Sequence, residues 1–428
     1  MISSTANSPN SVSPLRACAP LPEFVARRVE RFHGERLAAT WGGRHILRGR
    51  VPAADAILLQ SNDYLAITRH PAIAAAQRRV LASEGNGLMM SGLFQQQGDE
   101  PMHVLEARLA RAVGYEAAVL CQSGYNANVG LVQCIAAERV PVYVDLLAHT
   151  SLWEGIRSSG ATAVPVMHND VEHLERQVLR HGPGVILVDS VYSTNGSLAP
   201  LRAIADIASR LGSVLVVDES HSLGTHGAHG EGLVASLGLQ DRVHFVTASL
   251  AKAYCSRAGL IACSRRFADY FAFESLPAIF SSSLLPHELA GLDAAHDVIR
   301  TEGWRRTRLH QVARQVRAGL LELGYPVGDG SEQIIALEAG TEPATMILRD
   351  ALESRGVFGA IFCAPATAKN RALVRLTLHA GLDEPAVARL LRACAEIREE
   401  VGLREWSATR RAARGTREPC TPTLAQVA

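Results

Sequence analysis

From about residue 100 to 265 the chain repeats one pattern: a short apolar run, a turn of small and polar residues, then a segment of helical spacing. The runs are AAVLCQ, VPVYVD, GVILVDS, SVLVVDES and HFVTAS, and SGYNAN, LLAHTSLWEGI, VYSTNGS, HSLGTHG and LAKAY follow them in turn. Continuous β-branched stretches such as VILV and VLVV suit strands covered on both faces, so the pattern predicts a mostly parallel sheet with helices on either side. Between the runs, VEHLERQVL and PLRAIADIASRLG have helical spacing, the second opening at Pro200 and stopping at Gly212. The expected fold class is α/β, doubly wound.

The flanks differ. Residues 1–20 are rich in Ser, Asn and Pro and are expected to form a disordered arm. An N-terminal segment over 21–60 is predicted to hold a helix from about 23 to 38 and then, at HILRGRV, an alternating edge strand. A large α/β domain is expected over 61–295. After Pro286 the pattern turns helical and then mixed, which predicts a smaller C-terminal α+β domain over 296–405. The basic stretch 406–428 is expected to be a disordered tail.

The length of 428 residues, with 47% apolar and 20% charged, fits a globular enzyme with a large core. The 43 Lys+Arg against 42 Asp+Glu leave a formal charge of +1, so no global field favours nucleic acid or an anionic membrane as partner. No window approaches a membrane span and the start lacks a signal-peptide pattern, which predicts a cytoplasmic protein. The eight cysteines form no C-x-x-C pair, so no metal site and no disulfide framework is expected. Only two of the 43 basic residues are lysines, Lys252 and Lys369. A chain that otherwise uses arginine has a reason to place an amine at those positions.

In doubly wound folds ligands gather at the carboxyl ends of the strands. Ser123, Asp145, His149, Asp189, Ser193, Asp218, His221, Ser249 and Lys252 follow the apolar runs and are expected to converge there. A cleft would desolvate Lys252 and lower its pKa toward attack on a carbonyl, as in a Schiff-base lysine; the bland alternative is a solvated surface lysine. Asp218 ends a buried run and needs a cation, and the pyridinium of pyridoxal phosphate is one that would also use it as electron-sink partner. A capping or arginine-paired Asp is the alternative. The amides near Ser123, Gly124 and Tyr125 open a helix and suit a phosphate, with hydroxyls from Ser249 and the Ser run at 281–283; ordinary turn serines are the alternative. His149 would stack on a flat ring or move protons, and His221 would reach a group beside that ring; either one otherwise braces a turn.

Taken together, SNDYL (61–65), HVLEARLA (103–110), SGYNAN (123–128), HTSLWEG (149–155), VDSVYSTNG (188–196), VDESHSLGTHG (217–227) and TASLAKAYCSRAG (247–259) resemble the α-oxoamine synthases. The likeness runs in order from about 55 to 395. It implies a fold type I pyridoxal-phosphate enzyme, a homodimer with shared active sites, that condenses an amino acid with an acyl-CoA. By that resemblance Lys252 would hold the cofactor covalently and move the α-proton, Asp218 would pair with the pyridine nitrogen, and His149 would stack on the ring. His221 and Ser193 would contact the ring hydroxyl. Ser249, with the turn at Ser123, Gly124 and Tyr125, would hold the phosphate, helped by Ser281 or Ser282 of a partner subunit. Arg375 in ALVRLTLHA would grip the substrate carboxylate; without the family it reads as an edge-strand cation.

Two departures narrow the resemblance. NGLMMSGLFQQQGDEP replaces the usual glycine-rich run, and SLAKA lacks a Gly before the lysine. Both are more similar to synthases of long-chain α-aminoketone or α-hydroxyketone autoinducers, which implies a medium- or long-chain acyl-CoA and a small amino donor such as S-adenosylmethionine or 2-aminobutyrate. The alternatives are an 8-amino-7-oxononanoate synthase, a 2-amino-3-ketobutyrate CoA ligase, or a non-catalytic regulator that keeps the fold.

Overall fold

A computed structural model of the protein describes residues 18–95, 100–328, 330 and 332–414. The chain divides into two units at Arg48/Gly49. In the first, the helix Glu23–Arg31 continues over Phe32–Thr40 with a widened turn, in which Trp41 N donates to Arg36 O at 3.0 Å. The Trp41 ring packs edge-on against Phe32 and tilted against His45. The expected edge strand at HILRGRV does not form. His45 organises a turn instead, accepting from Leu47 N on its ring and from Arg48 N on its carbonyl.

The second unit holds two sheets. After the short strand β1 (Ile57–Leu59), strands β2 (Ala117–Cys121), β3 (Pro141–Asp145), β4 (Thr162–Val166), β5 (Val185–Asp189), β6 (Val214–Asp218), β7 (Phe245–Ser249) and β8 (Gly259–Cys263) make a seven-stranded sheet. Its order is β2-β8-β7-β6-β5-β3-β4, parallel except around β8, which runs antiparallel to both neighbours. Alternate residues of one strand enter different cores. Ile186 and Val188 join Leu215, Val217 and Leu260 on one face, while Val185 and Leu187 join Val142, Val216 and Ile261 on the other. This two-sided burial is why the runs read as continuously apolar. The helices predicted at VEHLERQVL and after Pro200 form as Val171–His181 and Leu201–Arg210.

Strands β9 (Ile334–Gly340), β10 (Val357–Phe362) and β11 (Ala372–Thr377) form the second sheet, in the order β1-β10-β11-β9. Because β1 pairs in parallel with β10, residues 57–59 belong with the small sheet and not with an N-terminal segment reaching to 60. Arg375 stands on β11 between Ala360 and Ala336, so it lies on an inner strand and not at an edge. Trp406, placed in a disordered tail by its surroundings in sequence, is buried in this sheet's core against Tyr325, and its indole donates to Val401 O at 2.9 Å. The helix Ser407–Arg414 follows it, and the remainder of the predicted tail and most of the predicted arm lie outside the described residues. Among the described residues no helix is long and apolar enough to cross a membrane.

Trp406→Ala should destabilise the protein by about 3–5 kcal/mol, since it empties a buried aromatic site and orphans the Val401 carbonyl. The urea midpoint checks this, and an unchanged midpoint would assign Trp406 no part in the core.

Candidate active site

The parallel strands stop where acids and small polar residues begin. Asp145, Asp189, Asp218 and Ser249 are the last residues of β3, β5, β6 and β7, and Asp189, Asp218 and Thr247 sit side by side in register. Two carboxylates are thus adjacent at a buried sheet end. Burial, reinforced by the Asp218 charge, holds Asp189 well above the usual carboxylate range.

Asp218 is met by donors instead. Its Oδ1 accepts from Ser220 N at 2.8 Å and its Oδ2 from Asn128 Nδ2 at 2.7 Å. The same Asn128 amide donates to Ser151 Oγ at 2.8 Å, so both its N–H groups are engaged, while its Oδ1 is buried without a protein partner. Ser151 Oγ accepts there and therefore directs its own proton to His149 Nδ1, at 2.7 Å. Ser151 N also points to Nδ1, at 3.3 Å, which makes His149 the cap of the helix Thr150–Ser159. With two donors on Nδ1, the ring proton belongs on Nε2. Burial lowers the His149 pKa in keeping with a neutral ring, with Asp218 opposing and Lys252 assisting.

Lys252 stands on a tight turn after β7. Cys255 N donates to Lys252 O at 3.0 Å, and Leu250 N to Ala258 O at 2.9 Å. The Cys255 thiol reaches Asp63 Oδ1 at 3.0 Å, and Asp63 in turn caps the amides of Ile67 and Thr68. Burial lowers the lysine's pKa, with Arg375 assisting and Asp218 opposing. Lys252 itself is half-buried.

Close backbone approach shapes the adjoining cradle. A Cβ on Gly124 would lie 2.5 Å from Ser249 Cβ, and one on Gly259 would lie 2.2 Å from Ser123 O. The start of the helix Gly124–Ile135 is thereby pressed onto the ends of β7 and β8. Ser123 Oγ takes the Asn126 amide at 3.1 Å, which leaves the first-turn amides of Gly124 and Tyr125 without an intrahelical acceptor.

Opposite these groups lies Arg375, buried, with Nη1 donating to Ser193 O at 2.9 Å and Nη2 to Asn62 Oδ1 at 3.0 Å. Its Nε is buried without a partner, and no carboxylate among the described residues pairs with it. Burial lowers its pKa. Tyr64 OH lies 3.3 Å from the same Asn62 oxygen and 2.5 Å from His221 Nδ1, so one chain of contacts joins Arg375 to His221. Burial keeps His221 neutral, with Lys252 and Arg375 assisting.

Lys252, Asp218, His149, His221 and Arg375 are therefore linked by contacts or by mutual charge effects, with Ser249, Ser123 and Gly124 beside them. Ser193 contributes its carbonyl. Ser281 and Ser282 are not joined to this group within one chain: Ser281 Oγ donates to Pro277 O, and Ser282 bridges to Ser91. Sequence reasoning missed Asn128, Ser151, Tyr64 and Asn62. All four lie inside quoted motifs, but their partners sit up to 313 residues away, beyond the reach of spacing arguments.

The arrangement offers a half-buried amine of lowered pKa, a fixed carboxylate, a helix start with free amides and a guanidinium that meets no carboxylate among the described residues. Comparison with known proteins agrees with it. The profile of the family "Aminotransferase class I and II" matches residues 54–394. A CAI-1 autoinducer synthase of Vibrio campbellii is 44% identical over 88% of this chain and 95% of its own length. An 8-amino-7-oxononanoate synthase of Anaeromyxobacter dehalogenans is 36% identical over 81% and 88%. The fold is similar to that of the solved Sphingomonas wittichii serine palmitoyltransferase, with a TM-score of 0.80, 24% identity and coverage of 90% and 99%.

Ser151→Ala should raise the His149 pKa by about one unit, since it removes a hydroxyl proton that only the neutral ring accepts. Histidine NMR titration reads this. An unchanged or lowered value would remove Ser151 from the network.

Proposed function

The chain belongs to the aminotransferase class I and II family and is a pyridoxal-phosphate-dependent acyltransferase of the α-oxoamine synthase kind, and on that premise we propose that it joins a medium- or long-chain acyl-CoA to a small amino donor to give an α-aminoketone autoinducer precursor. The observation that carries this reading is the 44% identity to the autoinducer synthase over nearly all of both chains. S-adenosylmethionine or 2-aminobutyrate is the donor, and loss of its carboxylate as CO2 accompanies release of CoA.

The residues fit the cofactor. Asp218, held on both oxygens, is preset to face a cationic ring nitrogen, and a buried carboxylate of this kind needs such a partner. The cradle at Ser123, Gly124, Tyr125 and Ser249 suits its phosphate. His149, fixed as its Nε2–H tautomer, would stack on its ring, and His221, with Tyr64 and Ser193 alongside, would serve the ring hydroxyl. Bound there, pyridoxal phosphate supplies a carbonyl for amines and a ring that accepts an electron pair. Lys252 Nζ, with its pKa lowered, is available as a free amine to hold the cofactor and to take the proton from the donor's α-carbon. Arg375 receives the donor's carboxylate, which satisfies its orphaned Nε–H.

The protein acts in this reading as a cytoplasmic homodimer. Leu88, Phe94 and Phe280 are 79%, 72% and 80% exposed, and their segments are tied by the Ser91–Ser282 bridge and by Ser283 N to Met90 O at 2.8 Å. A second copy would cover this apolar patch and bring Ser281 or Ser282 to its partner's phosphate.

Mass spectrometry of products from a panel of acyl-CoAs and amino donors tests the function. Ketone formation should be greatest with decanoyl-length or longer chains and should fall by several orders of magnitude in Lys252→Ala. Faster turnover of pimeloyl-CoA or acetyl-CoA would overturn the assignment. Arg375→Gln should raise KM for the amino donor by about tenfold to a hundredfold and leave KM for the acyl-CoA unchanged, because only the donor carries the carboxylate it binds.

A further inference from the structure

A second cluster of titratable groups lies on the loop after β6, on the helix Trp304–Glu322 and just before β9. His226 Nε2 is 3.0 Å from Glu332 Oε2, and His310 Nδ1 is 3.5 Å from the same oxygen. Proton positions follow from Thr225. Its Oγ1 lies 3.0 Å from the carbonyls of both His221 and Ser222, so its hydrogen is committed to them. Its 2.9 Å contact with His226 Nδ1 is then one in which the ring donates. His310 Nε2, 2.8 Å from Thr225 O, also donates, because a carbonyl only accepts. Two neutral imidazoles would thus aim bare lone pairs, from His226 Nε2 and His310 Nδ1, at one carboxylate oxygen. A single proton relieves only one of them, and charging both rings would add cations beside the buried Arg306 and Arg317.

We propose that His226, His310 and Glu332 bind a divalent transition-metal ion of the zinc class, which pins the loop after β6 to the helix Trp304–Glu322 and to the entry of β9. Two imidazoles and one carboxylate suit zinc and not calcium or magnesium, which prefer oxygen ligands throughout. Bonds of about 2.0–2.1 Å at tetrahedral angles place ligand atoms about 3.3 Å apart, and the observed 3.0 and 3.5 Å bracket that spacing. All three donor atoms lie within 4.8 Å of one another. Thr225 supplies the outer contacts that orient both rings, as metal-binding histidines require. A cavity of about 280 Å³, lined in part by His226, His310, Ser236 and Thr307, leaves room for water as the fourth ligand. The cysteine pattern gives no hint of such a site, because its ligands are histidines and a glutamate as much as 106 residues apart.

The test uses the holoenzyme, dialysed against EDTA, loaded with zinc chloride and passed through gel filtration before elemental analysis. One zinc per chain should be retained, with affinity at least about tenfold lower in His310→Gln and in the milder Thr225→Val. Absence of retained zinc, or retention unchanged in both variants, overturns the site. If either variant fails to fold, zinc X-ray absorption on the loaded wild type decides: imidazole and oxygen scattering supports the site, and a sulfur shell refutes it.

Discussion

A carboxylate at the end of a buried strand must be met by donors or by a cation, and at Asp218 the chain does part of this itself. Ser220 N and the Asn128 amide hold both oxygens without neutralising the charge. The neighbouring Asp189 gives way and is driven toward its protonated form by burial and by that charge. What remains is one oriented carboxylate at the carboxyl end of the parallel strands. From it a directed relay runs through Asn128 and Ser151 to His149 and sets both the ring's position and its tautomer.

The same reasoning applies to the cation across the site. Arg375 comes from the small sheet, yet its guanidinium reaches Ser193 and Asn62, so the two sheets meet through a charge that has no carboxylate partner among the described residues. Burying such a group costs several kcal/mol unless a ligand completes it. That cost, with the lowered basicity of Lys252 nearby, is held by a core in which nearly every strand residue is apolar on both faces. The site is electrostatically unfinished, and the packing around it is what makes that tolerable.

The histidines divide according to their surroundings. His149 and His221 are kept neutral by burial beside the amine and the guanidinium, which suits contact with a flat ring. His310 instead gives its Nε2 proton to the Thr225 carbonyl and turns Nδ1 to the Glu332 carboxylate at 3.5 Å. One residue type thus serves two chemistries, and the deciding factor is which charge lies across from it.

The alternation of apolar runs and polar turns was enough to read five strands of the main sheet, the residues that close them and the lysine set after β7, because these depend on local periodicity and on composition. Strands β4 and β8 escaped that reading: TAVPV is interrupted by proline, and GLIAC is joined into the sheet by antiparallel pairing with distant strands. The ordering of Trp406, the inner-strand position of Arg375 and the pairing of β1 with β10 likewise required contacts between remote segments. So did Asn128, Ser151, Tyr64 and Asn62, whose hydrogen bonds join residues that only folding brings within 3.5 Å. The linear chain determined which chemical groups are available and on which elements they stand; tertiary packing decided which of them are desolvated, which way their protons point and which charges are left without a partner.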